Sequence, residues 1–198
     1  MDSINRIEKF KSSGTNKKKT QIILSHSSRV LENYFLSLQF RNNKNYDRIP
    51  NYVVSKGGQV FKLLENDEFS NIFNNQKINK NSIIIVLENL GWLNKEPLKD
   101  YYVNWIGDIY KGKVFERKWR EHYFWDPYTE EQLEKVYELC KEISENMTID
   151  FIFSGHNTKI NGAEKIKGIV TKSNFSLNYT DLSPAFDFEK FTDKIENE

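Results

Sequence analysis

The sequence predicts a single α/β domain built on a central mixed β-sheet flanked by helices. Two apolar runs rich in β-branched residues, 22–24 and 83–87, have the pattern of strands buried on both faces. Two segments carry apolar residues at helical spacing: Val30, Leu31, Tyr34, Phe35 and Leu38, then Leu133, Val136, Tyr137, Cys140 and Ile143. Lys56-Gly57-Gly58 between two short apolar segments reads as a hairpin turn, so one pair in the sheet is antiparallel and the sheet is mixed.

In chain order, residues 1–20 are polar, with Lys17, Lys18 and Lys19 in a row, and are expected to form a flexible lead-in to a domain spanning 21–198. The first strand is expected at 21–25 and the first helix at 28–40, followed by hairpin strands at 52–54 and 59–64. Residues 65–81 show little pattern, and 82–87 is the second fully apolar strand. Residues 91–127 hold all four tryptophans and read as a long irregular region, of the kind that packs as a lid or carries function. Thr129 and Gln132 form a capping-box signature at the start of the second helix. Residues 149–153 are expected to be a strand running into Ser154-Gly155-His156, and 186–195 a closing helix.

At 198 residues the chain fits a prior of roughly 100–200 residues per domain. Lys+Arg 29 against Asp+Glu 28 leaves +1, so no field favours nucleic acid or an anionic membrane. Mean hydropathy is low at −0.69. However, Phe 14, Tyr 10 and Trp 4 supply large rings for a core. The single cysteine, Cys140, excludes a disulfide framework and sits on the helix stripe as buried filler. With neither a long apolar span nor an apolar leader, the chain is expected to be made in a cytosol as a monomer without integral membrane contact.

Of three histidines, His26 and His156 each stand just past the last apolar residue of an expected strand. Strand ends of α/β sheets are the usual place for ligand sites. A histidine there is more often a hydrogen-bonded structural residue than a ligand, but two in one context point to a metal. A catalytic zinc takes three protein donors and keeps a fourth place for water. Asp181, in Tyr179-Thr180-Asp181-Leu182-Ser183-Pro184, is the carboxylate candidate.

These segments resemble, in order, those of the zinc-dependent N-acetylmuramoyl-L-alanine amidases, a family that includes phage lysins and peptidoglycan recognition proteins. Ile22-Ile23-Leu24-Ser25-His26-Ser27-Ser28 is similar to the first-histidine strand, and Asn51-Tyr52-Val53-Val54 with Gly57-Gly58 to the hairpin. Ser82-Ile83-Ile84-Ile85-Val86-Leu87-Glu88-Asn89, Tyr128-Thr129-Glu130-Glu131-Gln132 and Gly155-His156 follow the next three motifs. Thr180-Asp181-Leu182-Ser183-Pro184-Ala185-Phe186-Asp187-Phe188 is the most specific match. The resemblance implies Zn2+ held by His26, His156 and Asp181, and hydrolysis of the amide between N-acetylmuramic acid and the stem peptide's L-alanine. Peptidoglycan would be the substrate and the bacterial cell wall the place of action, as for a phage-type lysin. A non-hydrolytic peptidoglycan-binding protein on the same fold is the alternative, and a zinc amidase acting on another amide is a third.

Three positions depart from the family pattern. The glutamate many members use falls on Val86, and Glu88, two residues on and on the same strand face, is the replacement base, with Tyr52 as a second candidate. A lysine expected two residues before the third ligand is Tyr179, whose phenol is a candidate oxyanion donor, while Lys172 can restore the charge if its loop folds back. Asn51 replaces a substrate-facing histidine at the head of the hairpin, where Asn51 and Tyr52 are candidate substrate contacts. Trp119, Arg120 and His122 form either a substrate wall or a lid packing its own aromatics.

Overall fold

The computed structural model describes residues 5–6 and 10–198. Its elements are β1 (Asn5–Arg6), β2 (Gly14–Thr15), β3 (Gln21–His26), α1 (Leu31–Phe40), β4 (Tyr52–Val54), β5 (Val60–Lys62), β6 (Glu68–Phe69), α2 (Gln76–Asn81), β7 (Ser82–Leu87), β8 (Trp92–Lys95), β9 (Tyr102–Val103), β10 (Ile109–Tyr110), β11 (Phe115–Trp119), β12 (His122–Trp125), α3 (Glu130–Met147), β13 (Gly168–Thr171) and α4 (Phe188–Glu196). The main sheet is six-stranded in the order β1-β5-β4-β7-β3-β13. Strands β4, β7, β3 and β13 run parallel, and the β4–β5 hairpin is antiparallel, as the glycine turn predicts.

Period-two alternation divides the sheet between two cores. Ile22, Leu24, Ile83, Ile85 and Leu87 face α3 and α4, where Val136, Cys140, Ile143, Phe186 and Phe191 close over them. Ile23, Ile84, Val86 and Val170 face the other way, against Leu38, Ile49 and Leu63, with Tyr34 and Phe35 of α1 packed alongside. The result is three layers. Thr129 caps α3 by accepting from the Gln132 N–H (3.2 Å), but the Gln132 amide does not complete a capping box. It reaches across to the carbonyls of Val54 (3.1 Å) and Glu88 (3.0 Å), tying the helix start to two strand ends.

Three expectations need correction. Residues 91–127 are not irregular: they form a five-stranded antiparallel sheet, β10-β9-β8-β12-β11. Its strands are two to five residues long and largely exposed, so no apolar period marks them. This second sheet is anchored by Asp126, whose carboxylate receives the Lys56 ammonium and, at 2.8 Å, the Leu90 N–H. The lead-in is also attached where it is described, since β1 pairs with β5 and β2 with β6. Its residues 1–4 and 7–9 lie outside the described residues.

The third correction moves a strand. Residues 149–153 do not enter the sheet; only Phe153 makes a bridge, to Ile169. The strand beside β3 is β13, in a stretch the sequence marks only as polar. Gly168 lets the 150–152 backbone lie close against β13: with φ +110° and a notional Cβ 2.6 Å from the Ile152 carbonyl oxygen, no side chain fits where these two backbones meet. The 149–153 segment is displaced one strand outward, about 4.8 Å.

Lys19 tests the attachment of the lead-in. Only 4 % exposed, its ammonium donates to the carbonyls of Glu68 (2.9 Å) and Ser82 (3.2 Å). Burial pushes its pKa down to about 8, against an opposing pull from Asp67. A lysine whose pKa is depressed on folding holds its proton more firmly in the unfolded chain, so its contribution to stability rises with pH between the folded and unfolded values. Urea unfolding at pH 7.5 and 9.5 should show the wild type gaining about 1 kcal/mol relative to Lys19→Met over that interval, after allowance for the group's partial solvation.

Candidate active site

The four parallel strands end at one rim, and there the polar residues gather. Asp181, 4 % exposed, is the centre. Its Oδ2 accepts the Ser25 hydroxyl and receives the Lys172 ammonium at 3.2 Å. Burial alone would push the Asp181 carboxyl up, but Lys172, His26 and the Ser25 hydroxyl together hold it below the usual carboxylate range. Lys172 follows β13 directly, and its Nζ also lies 4.7 Å from the centre of the Tyr179 ring.

His26 is buried and close enough to Asp181 to feel its charge, yet it turns to the other face of the sheet. Alternation along β3 sends Ser25 to the side of Ile23 and His26 to the side of Leu24. There Nδ1 lies 3.2 Å from the Tyr128 hydroxyl, and Nε2 would be 3.0 Å from a Cβ placed on Gly91. Burial, reinforced by Lys172 and opposed by Asp181, pushes its pKa down to about 4.

His156 does not join them. It is exposed, and its Nδ1 accepts from the Thr158 N–H at 3.2 Å and lies 2.7 Å from the Thr158 hydroxyl. Among the described residues, no three His, Cys, Asp or Glu side chains are placed to hold a metal ion. The expected ligand set therefore fails to assemble because β13 separates the His156 segment from β3. As placed, the donors do not fit zinc: His26 is turned onto Tyr128, His156 is exposed and held by Thr158, and Asp181 carries an ammonium, which has no lone pair to offer.

Other expected site residues have structural duties. Glu88 accepts the Leu31 N–H (2.9 Å) at the start of α1 and the Lys56 N–H (3.0 Å) in the hairpin turn, so both oxygens serve as backbone caps. Asn51 is 1 % exposed; its amide donates to Glu65 and Glu68 carbonyls and accepts from the Ile84 N–H. The Tyr52 hydroxyl donates to Asn66 (2.6 Å). His122 stacks on Trp92 at 4.2 Å and meets Trp125 edge-on, while Trp119 packs on Trp125; Trp119 and His122 stay half-buried. The Tyr179 ring packs edge-on to Phe73.

Arg120 plays a part not read from the sequence. Its guanidinium donates to the carbonyls of Ser176 (2.8 Å), Tyr179, Ser173 (3.3 Å) and Asn157 (3.4 Å), clamping the loop that delivers Lys172 and Asp181. Asn174 assists by donating to the carbonyls of His156 (3.0 Å) and Thr158 (2.7 Å).

Beside Ser25 and Lys172 opens a cavity of about 200 Å³. Tyr34, Tyr46 and Tyr179 line it together with Arg29, Arg41 and Arg48, and no carboxylate is among its lining residues. Arg29 lies against the Trp105 ring and Arg41 against that of Tyr46. None of the three arginines makes an ion pair among the described residues. A larger cavity, about 510 Å³, lies between the lead-in and α1 and holds none of the rim residues.

The sequence profile of the N-acetylmuramoyl-L-alanine amidase family matches residues 15–167. The chain belongs to that family. The match stops one residue before β13, so Lys172 and Asp181 lie beyond it. The fold is similar to two Clostridium intestinale URNW proteins, the N-acetylmuramoyl-L-alanine amidase LysC and the endolysin amidase LysCS. Each has a TM-score of 0.58 and 10 % identity over 99 % of this chain, covering 99 % and 97 % of theirs. It is also similar to Pseudomonas aeruginosa AmpDh3, solved with anhydromuramic pentapeptide (TM-score 0.53, 12 % identity, 98 % of this chain, 66 % of that one). The chain has no sequence match among the curated proteins.

Two substitutions test these assignments. Glu88→Ala should cost about 1–2 kcal/mol of stability in urea unfolding by orphaning two N–H groups, with Glu88→Gln intermediate. Arg120→Ala should speed amide hydrogen exchange across 172–181 at least tenfold while exchange in α3 stays unchanged.

Proposed function

We propose that this protein acts on bacterial peptidoglycan as an amidase of the lysin type, working as a monomer on the bond between N-acetylmuramic acid and L-alanine. Family membership, carried by the profile match over 15–167, is the observation behind this reading. The tyrosine- and arginine-lined cavity suits the substrate. Stem peptides bear carboxylates that guanidinium groups pair with, and aromatic rings stack on sugar faces.

Attack on the amide carbon builds negative charge on its oxygen, and a preorganised donor aimed there is the largest single contribution such sites make. Lys172 is that donor in this reading, since its ammonium has three N–H groups and Asp181 takes only one. Asp181 and the Tyr179 ring position it. The zinc dependence of the family resemblance would place Zn2+ on His26, His156 and Asp181; those residues as arranged do not fit it, and no step is assigned to a metal.

Non-hydrolytic binding to peptidoglycan is a second reading, favoured by Glu88, whose two oxygens already cap backbone groups. One experiment separates the two. Purified peptidoglycan is incubated with the protein, pelleted, and the supernatant analysed by mass spectrometry. Stem peptides with a free L-alanine amine support the amidase; protein in the pellet with no released peptide selects the binder; neither outcome rejects peptidoglycan as the ligand.

A further inference from the structure

We propose that the ammonium of Lys172 supplies the positive charge of this site in place of a metal ion, so that the pocket is metal-independent. The inference deepens the proposed function and rests on it only in taking the rim pocket as the working site.

The topology makes the substitution. Of the two strands beside β3, β7 runs into Glu88, whose oxygens already cap Leu31 and Lys56, and the other is β13. The residue it delivers just past its last pairing is Lys172. His156, which belongs to the segment outside β13, is held by Thr158. One oxygen of Asp181, Oδ2, already receives two donors, the Lys172 ammonium at 3.2 Å and the Ser25 hydroxyl. His26 leaves from the opposite face of β3, with its ring between Tyr128 and Gly91.

Electrostatics reinforce the geometry. A divalent ion at Asp181 would sit beside a fixed ammonium, and two charges about 4 Å apart repel strongly at the reduced dielectric of a buried site. The neighbouring cavity adds Arg29, Arg41 and Arg48 with no carboxylate among its lining residues, so its field favours an anion and opposes a cation. Lys172 and Arg120 themselves stay in place because Asp181 and four backbone carbonyls hold them.

Metal content read on the protein alone decides the matter. The full chain is dialysed against excess zinc and then against buffer, and zinc per chain is measured for wild type, Asp181→Asn and Lys172→Met. Thermal unfolding is followed with and without chelator. The expected result is substoichiometric zinc in the wild type and a Tm that chelator does not move. Lys172→Arg should keep the wild-type Tm more closely than Lys172→Met, because it keeps the charge beside Asp181. If Lys172→Met does not fold, the wild type and Lys172→Arg suffice. One zinc per wild-type chain, lost in Asp181→Asn, would overturn the proposal; zinc retained equally by Asp181→Asn is bound elsewhere and leaves it standing. A wild type that binds no zinc and also fails to bind or cut peptidoglycan removes the proposed function, not this inference.

Discussion

A carboxylate almost wholly withdrawn from water needs a positive charge within reach, and at Asp181 that charge comes from the chain itself. Much of the C-terminal third is arranged around this pair. Gly168 lets the 150–152 backbone pass close along the outside of β13, which itself pairs with β3. Lying there, β13 brings Lys172 to the rim. Arg120, reaching over from the β11–β12 turn, collects four carbonyls and keeps the loop between Lys172 and Asp181 compact. Loss of Lys172 would leave the Asp181 carboxylate buried without its partner charge.

The strongly apolar strands and the capped helix are legible in the sequence because their signals are local. Ser82–Leu87 cannot be solvated, and the Leu133–Ile143 stripe has one periodicity that satisfies it. The exchange of β13 for the 149–153 segment is a different problem. Both stretches are short, both contain β-branched or aromatic residues, and both precede a polar residue that could serve chemistry. What separates them is tertiary: Ile152 is 65 % exposed, whereas Ile169 and Val170 are fully buried. The second sheet is hidden for a related reason, since strands of two to five residues are too short for alternation to accumulate.

Site residues were legible as positions and much less so as roles. A motif says that Ser25 and His26 arrive together at the end of a strand, but their side chains find different partners: the Ser25 hydroxyl donates to Asp181, whereas the His26 ring meets the Tyr128 hydroxyl. Glu88 illustrates the same gap. Its position two residues beyond Val86 suits a general base, but the nearest unsatisfied groups are the backbone N–H groups of Leu31 and Lys56, and a carboxylate held by two such donors is a cap. Asn51 is buried where a substrate-facing histidine was expected to be replaced, and its amide makes three backbone hydrogen bonds, accepting from Ile84 of β7 and donating to the carbonyls of Glu65 and Glu68 beyond the hairpin.

Replacing a bound ion by a lysine changes what the rim can recognise. A divalent metal carries more charge and exchangeable coordination places, so it can seize a carbonyl oxygen or a water. An ammonium offers a single charge on a flexible stem with directional N–H groups, and it keeps its position only while a partner such as Asp181 restrains it. The arginines around the adjoining cavity fit that change: they add fixed positive charge at the wall, where a metal centre would have concentrated it at one point. Recognition spread over several cations depends on the ligand carrying several anions, and a peptide bearing carboxylates along its length meets that requirement better than a neutral sugar amide alone.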